Sequence, residues 1–267
     1  MKMGKVELYI NEILQSRGAM LFTLIDPVDY KSEKEAVDTA AAACRGGSDI
    51  ILLGGSIGAQ GSLLDRVAKG IREAVDVPLV LFPGNVATIT KNADAIYFQS
   101  LLNSRNSYWH AQVQMLGAPL IREAGIEPLP VGYILVSPGG TAGWVGDANL
   151  VPREKPKIAS ALALTGEYLG NRFILTDTGS NPRMQGLGPI PPEMIRHVKG
   201  VLDVPYIVGG GIMTISELRS AYRSGADIIQ IGTAFENGYG IKGAQRTALS
   251  FSKIAREEGL KKLKKGR

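Results

Sequence analysis

Two kinds of residue recur just past the apolar runs of this sequence: glycine-rich turns and isolated carboxylates. The clearest turns are Gly209-Gly210-Gly211 and Gly232-Thr233. Glycine lets backbone N–H groups reach phosphate oxygens that a Cβ would hold away. Thr178-Gly179-Ser180 reads the same way, yet Asp177 stands directly before it. An acid beside an anion needs a target other than the anion. Asp26 follows the first apolar run, and Ser56 places a hydroxyl after the second. Hard oxygen donors with room left for water and phosphate oxygens suit Mg²⁺.

A phosphate cradle opposite a Mg²⁺ site implies two phosphorylated substrates, or one with phosphate at both ends. Group transfer from a diphosphate would use both halves, with the metal stabilising the leaving group. Two other classes fit parts of the pattern. A phosphate-binding isomerase or synthase of amino-acid biosynthesis would work without Mg²⁺. A non-catalytic phosphate- or lipid-binding module has no need of carboxylates beside phosphates.

Zinc and redox metals are not indicated, because the chain has two histidines and one cysteine. His110 and His197 fall in helical stretches away from strand ends and read as structural. Cys44, inside TAAAACRGG, reads as a small core residue with no disulfide partner.

These groups need a scaffold, and the apolar runs supply it. AMLFTLID (19–26), DIILLGGS (49–56), PLVLFPGN (78–85), AIYFQSLL (95–102), PVGYILVSP (130–138), RFILTDTG (172–179), PYIVGGGI (205–212) and DIIQIGTA (227–234) are near-continuous. Such runs read as parallel strands covered on both faces. Helical stretches separate them, two opened by the capping boxes Ser32–Glu35 and Thr214–Glu217. Eight such units in 267 residues predict a single (β/α)8 TIM barrel over residues 1–267, with an N-terminal helix and a basic C-terminal helical tail. Active groups then sit at the C-terminal ends of the strands, and phosphate sites after strands 7 and 8.

One unit departs from this pattern. Only VATITKNAD separates FPGN from AIYFQS, which is too short for a crossover helix. A reduced helix there leaves a gap in the outer ring, and that gap is a candidate groove for a long apolar ligand. Tyr97, Phe98, Tyr133 and Trp144 are aromatic candidates for its walls, and read equally as core or interface residues.

Composition excludes several classes. Hydrophobic residues make up 45%, and glycine is the outlier at 33 residues. The net charge of +5 owes much to the tail Lys261–Arg267, read as a solvated helix end or as a transient contact with anionic lipid. No nucleic-acid-binding motif accompanies that charge. No signal peptide or membrane-spanning run is present, so a soluble, cytoplasmic protein is expected.

Taken in order, LIDP (24–27), LLGGS (52–56), FPGN (82–85), SLLNSRN (100–106), GWVGDA (143–148) with KP (155–156), DTGS (177–180), VGGGI (208–212) and IGT (231–233) resemble the geranylgeranylglyceryl phosphate synthase family. FPGN, SLLNS and WVGDA with its downstream KP are the specific part of that set. The resemblance implies a Mg²⁺-dependent prenyltransferase of archaeal type. It would join geranylgeranyl diphosphate to the C3 hydroxyl of sn-glycerol 1-phosphate through an ether bond. Asp26 and Ser56 match the family's magnesium positions. Leu175, Thr176, Asp177, Thr178, Gly179, Ser180 and Asn181, with Gly210, Gly211, Gly232 and Thr233, match its glycerol phosphate site. A homo-oligomer is also implied. Asp177 stands where the family usually has glutamate, Leu175 where it has tyrosine and Asn181 where it has glycine. Asp177 is expected to orient the acceptor hydroxyl and take its proton, directly or through water; its other reading is an Asx cap that forms the turn.

Overall fold

Near-continuous apolar strands have two faces to bury, and in the computed structural model of this chain both are covered. The structure describes residues 2–236 and 240–265. The strands are β1 Met20–Ile25, β2 Ile50–Gly54, β3 Leu79–Phe82, β4 Ala95–Leu101, β5 Glu127–Leu135, β6 Phe173–Asp177, β7 Tyr206–Gly209 and β8 Ile228–Ile231. They pair in parallel in chain order, and β8 returns to β1 to close the barrel. The expected TIM barrel is therefore present.

Side chains alternate across the barrel wall, as a period of two requires. Phe22, Leu52, Val80, Tyr97, Tyr133 and Leu175 fill the interior. Leu21, Ile51, Leu81, Ile96, Ile134 and Ile174 face the helical layer. That layer contains α2 Glu33–Arg45, α3 Gly61–Ala74, α4 Gln112–Ala124, α6 Pro156–Tyr168, α7 Pro192–Lys199, α8 Ile215–Arg223 and α10 Gly240–Lys265. Two short helices lie after strand ends, α5 Gly140–Val145 and α9 Thr233–Glu236.

β5 begins three residues earlier than its apolar run, passing through Pro128 and Pro130. Proline lacks the N–H a ladder needs. Here Glu127 N bonds to Asp94 O beside β4, whereas Pro130 presents its carbonyl to Arg172 N beside β6. The prolines thus face a side where β6 has barely begun.

Local signals set the helix starts. Thr214 and Glu217 form a full capping box, with bonds of 3.2 and 3.1 Å. Ser32 caps the Glu35 N–H, but the Glu35 carboxylate accepts from Lys31 N rather than Ser32 N. His110 is not on a long helix: it ends a 3-10 turn, Ser107–Trp109, with its Nε2 2.9 Å from Ser104 O. His197 lies on α7, as expected. Cys44 is half-buried in α2 and packs against the core.

The crossover between β3 and β4 is reduced to a 3-10 turn, Val86–Thr88. Its chain is held by reciprocal caps: Asn85 Oδ1 accepts from Ala87 N, and Thr88 Oγ1 from Asn85 N. Local hydrogen bonds here replace those a full helix would supply.

In the C-terminal tail, exposed Lys261 pairs with Glu258 and half-buried Lys262 with Asp227, so both cations have acidic partners on the protein. Gly266 and Arg267 lie outside the described residues. No described helix is long and apolar enough to cross a membrane.

The N-terminal helix, α1 Lys5–Arg17, plugs the end of the barrel where strands begin, with Val6 and Ile10 packed into the interior. No side chain of its own caps it. The Glu127 carboxylate does so instead, accepting from Val6 N at 2.7 Å and Glu7 N at 3.0 Å. Removing that cap with Glu127→Ala should cost about 1 kcal/mol. A thermal melt should then show a Tm lower by about 2–4 °C.

Candidate active site

At the opposite end of the barrel the strand ends surround one cleft, enclosing about 1530 Å³ with its solvent-open mouth included. It has three sectors: a carboxylate sector, a glycine-turn sector and an apolar arm.

The carboxylate sector is built from β1, β2 and β8. Asp26 follows β1 and caps the turn after it, accepting from Val28 N at 3.3 Å. Its carboxylate lies against Gly55, where a Cβ would stand 2.5 Å from both oxygens. Ser56 lines the cleft beside it. Asp29 and Glu236 line the same wall. Burial, then the like charge of Asp29, pushes Asp26 up to about 7. Burial followed by repulsion from Asp29 and Asp26 pushes Glu236 to about 7 as well. Every charged neighbour that shifts these two groups is another carboxylate.

That arrangement fits a hard cation. Among the described residues, no group of three His, Cys, Asp or Glu side chains closes a cage. An ion held here by few protein oxygens would keep water and substrate oxygens, which is how Mg²⁺ is commonly bound.

The glycine-turn sector combines the ends of β6, β7 and β8. Gly179, Gly210 and Gly211 adopt φ of 76°, 83° and 74°, and Asn181 takes 54°. The left-handed angle at 181 is one that asparagine tolerates. A Cβ on Gly210 would stand 2.3 Å from Thr178 Oγ1 and 2.5 Å from Asp177 Oδ1. Gly179, Ser180, Gly210, Gly211, Gly232 and Thr233 all line the cleft.

Asp177 ends β6 and, two residues beyond Leu175, points into the barrel. It is 7% exposed. Oδ1 accepts from Gly179 N at 2.6 Å, and Oδ2 from Gln230 Nε2 at 3.3 Å. The Gln230 carbonyl accepts in turn from the Tyr97 hydroxyl at 3.4 Å. Burial raises the Asp177 carboxyl to about 6, against the opposing pull of the Gly179 and Gln230 bonds.

Four of the expected phosphate-site residues do not line the cleft. Leu175 is fully buried in the barrel interior, one layer below Asp177. Thr176 has the opposite parity: it faces the helices and bonds the Tyr206 hydroxyl at 2.6 Å. Thr178 is buried beneath Gly210, and Asn181 is exposed at the start of the next turn. The last two shape the turn rather than the cleft wall.

The apolar arm passes through the gap left by the missing helix, between Val86 and Ile89 on one side and Val113, Gly117 and Ile121 of α4 on the other. Phe82, Tyr97 and Tyr133 form its inner floor, with Phe82 edge-on to Tyr97 at 5.3 Å and to Tyr133 at 5.7 Å. Phe98 joins the wall, but Trp144 is 88% exposed on α5. Asp29, Glu236 and Gln230 are not singled out by the sequence, and Phe82 enters there only as the first residue of FPGN. Glu236 could have been, since it lies one helical turn beyond Gly232.

Comparison with known proteins gives a consistent picture. A model of the PcrB family matches residues 11–248. The chain is 49% identical over 246 residues to geranylgeranylglyceryl phosphate synthase of Pyrococcus abyssi, covering 92% of this chain and 95% of that protein. It is 49% identical over 238 residues to the enzyme of the same name from Methanothermobacter marburgensis, covering 89% and 94%. Among solved structures it is similar to (S)-3-O-geranylgeranylglyceryl phosphate synthase of Thermoplasma acidophilum in complex with substrate sn-glycerol-1-phosphate. That match has a TM-score of 0.87 and 32% identity, over 96% of this chain and 100% of the other. Thiamine phosphate pyrophosphorylase of Pyrococcus furiosus, at TM-score 0.59 and 15% identity, shares the fold alone. With the model spanning most of its length and relatives half identical along nearly all of it, this chain belongs to the PcrB family.

Proposed function

We propose that the protein is a prenyltransferase that joins geranylgeranyl diphosphate to the C3 hydroxyl of sn-glycerol 1-phosphate through an ether bond. The observation that carries this reading is the cleft itself. A glycine-turn cradle, an acid-lined wall and a long apolar arm open into one space, with Asp177 beside the cradle. The names of the relatives agree with it.

On this reading, Gly179, Ser180, Gly210, Gly211, Gly232 and Thr233 hold the glycerol phosphate through backbone N–H groups and hydroxyls. The prenyl chain lies in the apolar arm, which directs its diphosphate toward Asp26 and Ser56. Those two residues would hold Mg²⁺, whose charge stabilises the departing diphosphate. The allylic C1–O bond breaks with its electrons leaving on the diphosphate. The glycerol C3 oxygen forms the new bond to C1, and its proton passes to the Asp177 carboxylate. Fixing both substrates in one frame supplies much of the acceleration.

Asp177 suits the proton step because burial has lifted its basicity close to working pH. Gln230 and Gly179 hold its oxygens, so the carboxylate faces the cradle without rotating. The exposed Met115, Leu116 and Leu120 on α4 support the further expectation of a homo-oligomer.

The reading is tested with purified protein, Mg²⁺, labelled geranylgeranyl diphosphate and each glycerol phosphate enantiomer. An ether lipid product is expected with the sn-1-phosphate, and no product with either enantiomer would overturn the assignment. Asp177→Asn should lower kcat by about 10²–10⁴-fold while isothermal titration still detects glycerol phosphate binding. In the wild type, kcat/KM should fall as the pH drops through about 6, where Asp177 takes up a proton.

Gly117 tests the apolar arm. Inside a helix glycine costs about 0.5–1 kcal/mol relative to alanine. Gly259 is required by packing, since a Cβ would come within 2.2 Å of Arg17 O, and Gly70 and Gly166 are crowded by side chains at 2.8 and 2.7 Å. At Gly117 the nearest atoms to a Cβ would be those of Ile89, Ile121 and Val86, at 3.7 to 4.0 Å. Packing permits a side chain there, and its absence keeps the arm open. Gly117→Leu should shift kcat/KM from the C20 diphosphate toward shorter allylic diphosphates, measured by competition between chain lengths.

A further inference from the structure

Asn103 lies just past the end of β4 and is 7% exposed. Its side-chain amide is fully satisfied by backbone groups. Oδ1 accepts from Leu135 N at 3.0 Å, while Nδ2 donates to Leu135 O at 2.8 Å and Asn149 O at 2.9 Å. Regular pairing of β4 with β5 ends at Leu101 and Tyr133. The amide thus extends the ladder one step further, standing in for a strand backbone.

The same short segment grips the far side of the β5–α6 connection. Asn149 N donates to Asn103 O at 2.7 Å, and Ser104 Oγ donates to Gly146 O at 2.6 Å. Arg105 N donates to Asp147 O at 2.9 Å, and its guanidinium pairs with the Asp147 carboxylate at 3.0 Å. Residues 103–105 therefore clasp residues 146–149. This accounts physically for the SLLNSRN and GWVGDA motifs, which the proposed chemistry leaves without a role.

The other end of that connection rests on the phosphate turn. Gly139 N donates to Thr178 O at 3.0 Å, and a Cβ on Gly179 would stand 2.3 Å from Gly139 O. Between the two anchors runs α5, whose Ala142 and Val145 line the cleft. It has six residues and contains Gly140 and Gly143. A helix so short does not hold its shape alone, so its position depends on the anchors at its ends.

We propose that Asn103 is a positioning residue: its side chain fixes α5 as a wall shared by the phosphate turn and the apolar arm, and its loss weakens phosphate binding at a turn it does not touch. The prenyltransferase reading supplies only the identity of the two ligands.

Asn103→Asp tests this with little change of shape. Its first oxygen still accepts from Leu135 N, but the second, when ionised, faces the carbonyls of Leu135 and Asn149. Amide hydrogen exchange is compared with wild type at the same pH. Exchange at Gly143, Gly146 and Ala148 should rise about tenfold, while amides of β4 and β6 keep their protection. The dissociation constant for inorganic phosphate should rise about fivefold, because only the fraction with α5 in place binds. As the pH falls and the new carboxyl is protonated, its O–H can donate one of the two bonds the amide made, and the variant-to-wild-type ratio of exchange rates should fall part of the way toward one. Under turnover, KM for both substrates should rise by the same factor with kcat retained.

Unchanged exchange at the three amides, loss of protection spread evenly over the strands, or unchanged phosphate affinity would overturn the proposal. If Asn103→Asp does not fold, Asn103→Ser shortens the side chain without adding a charge, and its failure to speed exchange at Gly146 and Ala148 has the same force. Absence of transfer by the wild type would defeat the prenyltransferase reading alone, since exchange and phosphate binding still decide the role of Asn103.

Discussion

Asp177 keeps a carboxylate inside the mouth of a closed barrel, where only 7% of the residue meets solvent. A buried charge is costly unless hydrogen bonds replace the water it loses. Here two do so, from Gly179 N and Gln230 Nε2, and they come from different strand ends. Much of the neighbourhood follows from this. Gly209 and Gly210 must be glycine because a Cβ on either would strike the Asp177 carboxylate, at 2.7 and 2.5 Å. Gln230 points inward from β8 and is itself held by Tyr97 from β4. On the proposed function, the backbone that accommodates the acid is also the backbone that offers N–H groups to the glycerol phosphate. The turn and the acid are therefore one construction with two targets.

The missing helix between β3 and β4 is the second determinant. A complete helical ring would seal the barrel wall there with apolar side chains. A 3-10 turn closed by Asn85 and Thr88 satisfies its own backbone and so can leave the wall open. Ile89 and Ile121 then face each other across the gap without filling it, and Gly117 withholds the side chain that would. Opening the wall exposes apolar surface that a ligand of matching chemistry would cover.

The barrel and its strands were legible because long apolar runs with glycine ends admit few other readings. The gap was legible from length alone, since nine residues cannot cross over as a helix. Strand parity explains why residues 175–181 do not form one continuous surface of the cleft. Matching 175–181 to a family motif treats the stretch as continuous, but alternate residues face opposite layers. Leu175 and Asp177 point inward while Thr176 points to the helices. Glu236 and Gln230 escaped notice for a different reason: each acts through neighbours distant in sequence. Gln230 matters only because Asp177 lies across from it, and Glu236 only because Asp26 and Asp29 crowd it. Aromatic type alone does not separate a groove wall from an outer surface, and the helix of Trp144 turns it to solvent.

The two acidic regions of the cleft differ in a way that suits opposite tasks. Asp177 is shifted by burial and held by neutral donors, with no second acid among its causes, so it can carry one proton near neutral pH. Asp26 and Glu236 are shifted by burial and by repulsion among the acids of their wall, from Asp29 on both and from Asp26 on Glu236, and no basic group relieves them. Mutual repulsion of that kind is removed by a cation or by protons, and a divalent ion removes it without changing the ionisation of a distant group. A transfer that expels a diphosphate on one side and releases a proton on the other needs positive charge at the first place and a free base at the second. Placing the repelling acids on β1 and β8, and the neutral-bonded acid on β6, separates those two demands within one cleft.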